Sequence, residues 1–552
     1  MQSDSFYADC IIKNCVVFNP FTCDWEHEDL AIRDGYVLGV GDGYRGEEVI
    51  DLHGARVVPG LIDAHLHIES SLLTPAEYGR LVLSHGTTTV IADPHEIANV
   101  AGITGIRAMM DDASRTPLDI FFMLPSCVPA TPMDCAGATL TAGDLAELID
   151  HPLVPGLGEM MNVPGVLGSD PDVLAKLRLS TIVDGHAPML TGPALDAYIR
   201  AGIGSDHECI TLDEASEKLR KGMYIFMREG AAAKNLRDLA PLADCHTASR
   251  SAFATDDRPA DMLAYNGSVD DCIRIAMESG IPEEVALRMA TLTPAERLSL
   301  HDRGALAPGR IADFCVLDDS ESFQVKRVFK RGREMKNLSY QPPEPLNIRF
   351  SCRLPTIADL AIRGDGPARV IGLIPGQIAT CEEIHDVVGS DLPDTDRDIQ
   401  KAVVCDRYHA SGFGLGLVRG FGLWNGALAA SVSHDSHNIV AVGARDEDIV
   451  AALDLVASQN GAMAVVSEEK TTMLPLPFGG IMSDKPYPEV ISMLQKIDQH
   501  AGSLGATDNP FMYLSFLALT VIPQLRLTER GLFDNTSFTN TDLFLDRAPV
   551  LK

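Results

Sequence analysis

The spacing of apolar and polar positions changes twice along the chain. Up to residue 57, short segments alternate hydrophobic and polar residues between Gly, Asp and Asn turns, which predicts a small β domain. From residue 58 to residue 303, apolar runs of strand length alternate with amphipathic stretches of helix length. This second pattern is typical of βα units on a parallel sheet.

Eight such apolar runs precede residue 303, and this segment is close to the ~250 residues typical of a (β/α)8 barrel. A doubly wound open sheet is the competing architecture. The predicted strands are residues 57–67, 87–95, 119–128, 154–162, 180–188, 201–208, 223–230 and 251–257.

Strand and turn character returns after the barrel, and residues 304–347 are predicted to rejoin residues 1–57 in one small β-sandwich domain. This segment ends in a proline-containing linker, residues 336–347. Residues 348–552 mix strand-like and helical patterns, so we predict a separate C-terminal α+β domain. The overall class is therefore α/β, with the barrel at residues 58–303.

The composition favours a soluble enzyme. The 552 residues carry 45 basic and 77 acidic side chains, a formal charge of −32 that opposes binding to nucleic acid or to an anionic membrane. The 12 cysteines form no C-x-x-C pair, which argues for a reducing compartment. We expect a cytoplasmic protein that acts on a small molecule, with a homodimer as the favoured assembly.

Six candidate metal ligands stand where the predicted barrel strands end. In this fold, catalytic groups lie at the C-terminal ends of the strands, so these four imidazoles and two carboxylates would meet on one rim. Nitrogen and oxygen donors without thiolates suit Zn, Fe or Mn. Each residue taken alone is more simply a hydrogen-bonded structural residue, and only their joint placement favours a metal site. The six are His65, His67, Glu159, His186, His207 and Asp256.

Several motifs resemble those of the amidohydrolase superfamily: "PGLIDAHLH" on the first strand, histidines after strands five and six, and "TD" on strand eight. "HIESS", "ADPHEIANV", "GLGEMMN", "SDHE" and a distant "FGGIMSD" are similar to the bacterial and archaeal adenine deaminases over nearly the whole chain. The resemblance implies hydrolysis of adenine to hypoxanthine and ammonia at two divalent ions, Mn or Fe first and Zn as a further option. It assigns one ion to His65, His67 and Asp256, the other to His186 and His207, and a bridging role to Glu159.

The chemistry agrees with this resemblance. A metal ion lowers the pKa of bound water from ~15.7 towards ~7, which yields a hydroxide able to attack C6 of adenine. Asp256 is the candidate to accept the water proton and pass it to the departing amine. Glu208 is the candidate proton donor to ring nitrogen N1, and the alternative is that it orients its neighbour His207.

Three further residues are candidates for substrate binding. His95 and Glu96 end the second run and would reach the same rim, either to bind the purine edge or as a structural pair opening a helix. Arg228 on the seventh run would hold a purine nitrogen or pair with a carboxylate. In the C-terminal domain, "SHDSHN" at 433–438 is most simply a surface turn, and we leave it outside the predicted site.

Two other functions compete with this interpretation. One is a cyclic-amide hydrolase of the hydantoinase or dihydroorotase kind, against which Glu159 argues because relatives of that kind carry a lysine there. The other is a barrel without catalysis that serves as an assembly protein. Metal content and a substrate panel would separate these possibilities.

Overall fold

The structure is a computed structural model that describes residues 6–318 and 322–545. Five strands precede the barrel, in the N-terminal region where the alternating pattern predicts a small β domain. Strand β1 lies at the centre, antiparallel to β2 and parallel to β4 and β5. These strands are β1 (Tyr7–Asn19), β2 (Asp24–Arg33), β3 (Tyr36–Val40), β4 (Arg45–Asp51) and β5 (Arg56–Pro59).

All eight predicted barrel runs form strands, and neighbouring strands are parallel. They are β6 (Leu61–Leu66), β7 (Thr87–Ala92), β8 (Asp119–Phe122), β9 (Leu157–Met160), β10 (Val183–Gly185), β11 (Ser205–Asp206), β12 (Tyr224–Arg228) and β13 (Ser251–Ala254). A bridge between Leu124 and Leu157 joins β8 to β9, and the Gly204 amide donates to the Val183 carbonyl between β10 and β11.

The barrel closes between its first and last strands. The Asp256 amide donates to the His65 carbonyl at 3.1 Å, and the His67 amide donates to the Asp256 carbonyl at 3.2 Å. Buried Asp63 strengthens this seam, since its carboxylate accepts from both the amide and the hydroxyl of Thr255. The eight strands thus join in a ring, as a barrel requires and an open doubly wound sheet does not.

The helices of this segment follow the strands in the expected alternation. They are α1 (Pro75–Val82), α2 (His95–Ala113), α3 (Ala142–Leu145), α4 (Val163–Gly168), α5 (Pro171–Leu177), α6 (Gly192–Arg200), α7 (Leu212–Arg220), α8 (Leu236–Leu239), α9 (Ala260–Tyr265), α10 (Val269–Glu278), α11 (Glu283–Met289) and α12 (Leu292–Arg297). Helix α7 has a capped N-terminus, because the Thr211 hydroxyl accepts from the Glu214 amide.

The chain then returns to the N-terminal sheet through β14 (Phe314–Leu317), β15 (Val325–Lys330) and β16 (Arg333–Glu334). Strand β14 pairs with β5, which gives one sheet in the order β16-β15-β14-β5-β1-β2-β3, with β4 beside β1. The two segments thus share a sheet, and the exact domain boundaries stay a prediction.

The C-terminal domain is α+β. Its main sheet has the order β18-β17-β20-β19-β22-β21-β23-β24, and α13 packs against β21, β22 and β23 of that sheet. The strands are β17 (Asp365–Leu373), β18 (Thr380–Val388), β19 (Ile399–Cys405), β20 (Phe413–Arg419), β21 (Ala427–Ala430), β22 (Ile439–Gly443), β23 (Ala462–Val466), β24 (Thr471–Pro475), β25 (Leu525–Thr528), β26 (Gly531–Asp534) and β27 (Thr539–Asn540). The helices are α13 (Asp446–Ser458), α14 (Tyr487–Ser503) and α15 (Pro510–Phe516).

The C-terminal domain and the barrel bury a continuous apolar core. The Ser483 amide donates to the Leu72 carbonyl at 2.8 Å, which joins the "FGGIMSD" segment to the loop after β6. Gly479 has φ +66°, and a Cβ there would lie 2.4 Å from Ile97 Cδ1, so both its backbone conformation and its close approach to α2 favour glycine. Among residues 6–318 and 322–545, no helix is long and apolar enough to cross a membrane.

Candidate metal centre

The structure brings the six predicted ligands together on one rim of the barrel. Five of them are almost fully buried, and His186 is the exception, with 29% of its side chain exposed. Three nitrogen and oxygen atoms of His65, His67 and Asp256 lie within 4.8 Å of one another, as do three atoms of His65, Glu159 and His207. The residues that the sequence grouped as candidate ligands therefore lie close together in the structure.

Glu159 stands at the middle of the group. Its Oε2 lies 2.8 Å from His186 Nδ1 and 3.2 Å from His207 Nε2, and its Oε1 lies 3.5 Å from His67 Nε2. Burial raises the pKa of Glu159, but contacts with His186, His207 and His95 outweigh burial and hold the pKa well below its usual range. This position, with imidazoles at both carboxylate oxygens, suits the bridging role that the resemblance implies for Glu159.

Asp256 holds the other side of the group. Its Oδ1 lies 3.2 Å from His67 Nε2 and 3.6 Å from His65 Nε2, while its Oδ2 accepts from Arg228 Nη1 at 2.8 Å. Burial raises the pKa of Asp256, and the Arg228 charge and the two imidazoles reverse this and hold it far below normal. The residue has φ +53°, a left-handed conformation that Asp tolerates better than most side chains.

Two observations show that these residues fit divalent ions. His67 Nδ1 donates to the Asp93 carbonyl at 2.9 Å, which leaves the lone pair of Nε2 facing the carboxylates. His65 Nε2 is buried and has no hydrogen-bond partner within the described chain. Buried polar atoms are nearly always paired, so an unpaired imidazole nitrogen beside two carboxylates is what a metal ligand would leave.

A supporting layer fixes the ligands, and sequence reasoning missed it. Asp93 Oδ2 accepts from the Glu159 amide at 2.9 Å. A Cβ on Gly158 would lie 2.1 Å from that same oxygen, so only glycine permits the contact. Asn235 donates to the carbonyl of His207 at 3.0 Å. Asp93 ends β7 in the same way that the ligands end their strands, and this position was the available signal.

A buried ion pair supports the two loops that carry His186 and His207. Lys218 of α7 donates to Asp206 Oδ2 at 2.5 Å and to the Ala187 carbonyl at 2.6 Å. Asp206 Oδ1 in turn accepts from the amides of Ala187 and Glu208. The pair thus joins residues directly adjacent to both ligands.

Arg228 and Glu208, which the sequence predicts to bind substrate and to transfer a proton, also lie beside the predicted metal ligands. Arg228 donates to both Glu208 and Asp256, so the structure has the carboxylate pairing that the sequence left open. Glu208 Oε1 lies 3.6 Å from His207 Nε2 and 3.8 Å from His186 Nδ1. Its side chain is 15% exposed, so it borders accessible space.

His95 and Glu96 open α2 on the same rim. His95 Nδ1 lies 3.3 Å from Glu159 Oε1, which places its ring beside the predicted bridge. Glu96 is buried and contacts His434 through one carboxylate oxygen and His437 through the other. Our interpretation of 433–438 as a surface turn is wrong, because this segment packs into the domain interface with 2% of the His437 side chain exposed.

A cavity of about 340 Å³ lies between the barrel rim and the C-terminal domain, within the range usual for small-molecule sites. Ser70 and Asp257 line it from the barrel, and His434 and Phe516 line it from the C-terminal domain. Asp257 directly follows Asp256, so the cavity borders the centre.

Comparison with known proteins identifies the family. The profile of the amidohydrolase family matches residues 56–335, and that of the adenine deaminase C-terminal domain matches residues 377–539. An adenine deaminase of Methanoculleus marisnigri is 59% identical over 94% of this chain and 99% of its own. An adenine deaminase of Methanoregula boonei is 55% identical over 97% of this chain and 96% of its own. Adenine deaminase 2 of Carboxydothermus hydrogenoformans is 44% identical over 96% of each chain. The chain belongs to the adenine deaminase family of amidohydrolases.

Proposed function

We propose that this protein hydrolyses adenine to hypoxanthine and ammonia at a site that binds two divalent ions. The observation that carries the proposal is the position of Glu159, with imidazoles at both carboxylate oxygens, beside an Asp256 that is held by Arg228. The high identity to adenine deaminases over almost the whole chain supports adenine as the substrate.

The ligand set divides naturally between two ions. His65, His67 and Asp256 would hold one, His186 and His207 the other, and Glu159 both. Bound Mn²⁺ or Fe²⁺, with Zn²⁺ as a further option, supplies Lewis acidity that lowers the pKa of the attacking water.

The side chains of this site account for the proton transfers. Asp256, held ionised by Arg228, accepts one proton as the water oxygen bonds to C6 of adenine. Glu208, which is 15% exposed and takes up a proton from solvent beforehand, gives that proton to ring nitrogen N1. Asp256 then passes its proton to the amine, the bond from C6 to that nitrogen breaks, and ammonia leaves. Glu208 regains a proton from the new hydroxyl group, which leaves a carbonyl at C6 and a proton on N1.

His95 and Arg228 complete the proposed substrate site. His95 lies on the opposite side of Glu159 from His186, where its ring is suited to meet the purine edge. Arg228 contacts both proton-transferring carboxylates and orients them towards each other. Glu96 acts through its neighbours, because imidazoles occupy both of its oxygens.

A substrate panel tests the proposal. The chain is reconstituted with Mn²⁺, and ammonia release is measured from adenine, adenosine, guanine and cytosine, with hydantoin and dihydroorotate hydrolysis assayed in parallel. We expect about two ions per chain and ammonia from adenine, and an E159Q variant serves as the inactive control. Hydrolysis of the cyclic amides alone, or no turnover with both ions bound, would refute the proposal.

The remaining expectations concern the protein as a whole. The charge of −32 supports a small-molecule partner over nucleic acid or membrane lipid. We further propose a cytoplasmic homodimer. Sedimentation velocity on the metal-reconstituted protein tests the dimer directly.

A further inference from the structure

A segment of the C-terminal domain reaches the barrel rim. Residues 433–438 follow β21 and precede β22, and their side chains contact the first turn of α2. His434 and His437 each contact one carboxylate oxygen of Glu96. Asp435 Oδ1 lies 3.8 Å from His95 Nε2. Helix α2 therefore begins between the predicted metal centre and the C-terminal domain.

A continuous path of polar contacts connects the two. His95 Nε2 lies 3.5 Å from Glu96 Oε1, and His95 Nδ1 lies 3.3 Å from Glu159 Oε1. His95 is 5% exposed, and its Nδ1 has no hydrogen-bond partner among the residues that the structure describes. The Nε2 edge of this ring thus faces Glu96 and Asp435, and the Nδ1 edge faces Glu159 and Asp93 at the metal centre.

The hydrogen-bonding pattern fixes what His437 does. The Ser433 amide donates to His437 Nδ1 at 3.2 Å, so Nδ1 is an acceptor and the proton of a neutral ring is on Nε2. That Nε2–H group faces Glu96 Oε2. If His437 Nε2 bound a cation, the ring proton would be on Nδ1, where it would face the N–H group of Ser433. The contact is therefore a hydrogen bond to a carboxylate.

His434 is held in place by different means. Its ring stacks on Phe516 of α15, with the centroids 4.5 Å apart and the planes 7° from parallel. This stacking fixes the ring plane and directs Nδ1 towards Glu96 Oε1. A buried carboxylate needs donors for both oxygens, and here both come from the C-terminal domain.

We propose that the C-terminal domain positions His95 for the reaction. In this arrangement, which we name the Glu96 clamp, His434 and His437 hold Glu96, and Glu96 together with Asp435 holds His95 beside Glu159. The inference rests on the proposed function and adds a role for the C-terminal domain within it. His434, His437, Asp435 and Glu96 are positioning residues, and His95 is the group that meets the substrate.

Matched substitutions test the clamp in the full-length, Mn-reconstituted protein. H434N keeps an N–H donor near the position of Nδ1, and H437Q keeps one near Nε2, whereas H434L and H437L remove the donors. We expect the Leu variants to lower kcat for adenine by about 10²-fold, as a small misplacement of a reacting group does. The amide variants should recover most of that loss.

Metal content and KM separate positioning from other roles. The Leu variants should retain the metal content of the wild type, because no clamp residue is a predicted ligand. The loss should fall on kcat more than on KM, and thermal unfolding should show that the measured protein is folded. H385L is the control, since His385 pairs with Glu383 on β18 of the same domain and contacts neither Glu96 nor His95 in the described structure.

Each outcome bears on the inference. Leu variants with wild-type kcat, or amide variants that fail as badly as the Leu variants while folded, would show that the contact only joins the domains. Loss of a bound ion in H434L and H437L would show a cation site, and that result would also overturn the clamp. If wild type turns over another purine and not adenine, the proposed substrate is wrong, and the same comparison with that purine decides the clamp. A wild type without any turnover refutes both.

Discussion

Replacing Lys218 with Met tests whether the buried ion pair supports the metal-binding loops. Lys218 and Asp206 are both fully buried, and the Lys218 ammonium also contacts Glu214. Burial raises the pKa of Asp206, and the Lys218 charge reverses this and holds it below normal. Methionine fills similar volume without the charge, so K218M leaves the Asp206 carboxylate buried and without its cation.

Removing one partner of a buried pair costs about 3–5 kcal/mol, because the other charge remains desolvated. For a segment of barrel size, each kcal/mol lowers the unfolding midpoint by about 2–4 °C, so we expect a fall of about 6 to 20 °C. Calorimetry of chelated protein measures this without the contribution of bound ions. Since Asp206 supports the backbone next to His186 and His207, the reconstituted variant should also bind less metal.

Two further variants make this result interpretable. K221M removes a partly exposed lysine at the end of the same helix, where its pairs with Asp196 and Glu217 reach solvent, and it should change the midpoint little. The double variant K218M/D206N removes the Lys218–Asp206 pair, leaves Glu214 with the amide donors of Met189 and Ile210, and should recover much of the loss. A midpoint for K218M within 2 °C of wild type, with full metal content, would refute the reasoning.

Three other predictions concern the site and the clamp. E159Q should lower the metal content from about two ions to one or fewer, measured by elemental analysis, because a neutral amide bridges cations poorly; two retained ions would contradict the bridge. D256N should lower kcat by about 10²–10⁴-fold through loss of the proton acceptor, and a change confined to KM would contradict that role. Burial lowers the pKa of His434 but the Glu96 charge raises it overall to about 9, while Glu96 itself titrates well below its usual range. Their contact should therefore stabilise the fold fully between pH 4.5 and 6.5 and weaken as pH rises through about 9. The midpoint difference between wild type and H434L should shrink over that upper range, and a constant difference would contradict the assignment.

The barrel and its ligands could be predicted because both follow from local patterns. Each strand of a parallel barrel ends at the same rim, so a residue's place after its apolar run locates it in space. His65 and Asp256 are far apart in the chain, yet the closing seam of the barrel joins their backbones directly. Strand β11 is only two residues long, yet the apolar run at residues 201–208 still predicts its position.

The clamp could not be predicted in the same way. Glu96 and His434 are 338 residues apart and belong to different domains, so no period within either segment shows that they meet. Domain docking depends on complementary surfaces, such as the approach of Gly479 to Ile97, that arise only after each domain has folded. The only local signal was two histidines around an acidic residue, a pattern that suits many exposed turns.

The two kinds of support at this site differ in their consequences. Asp63, Asp93 and Lys218 belong to the barrel and hold the backbone from which the ligands project, so their loss should release ions and destabilise the fold together. The Glu96 clamp comes from another domain and ends at His95, which is not a predicted ligand. Its loss should leave the ions bound and slow the reaction. Variants can therefore change metal content and turnover separately. The barrel supplies the metal ligands, whereas the domain interface orients His95 towards the substrate.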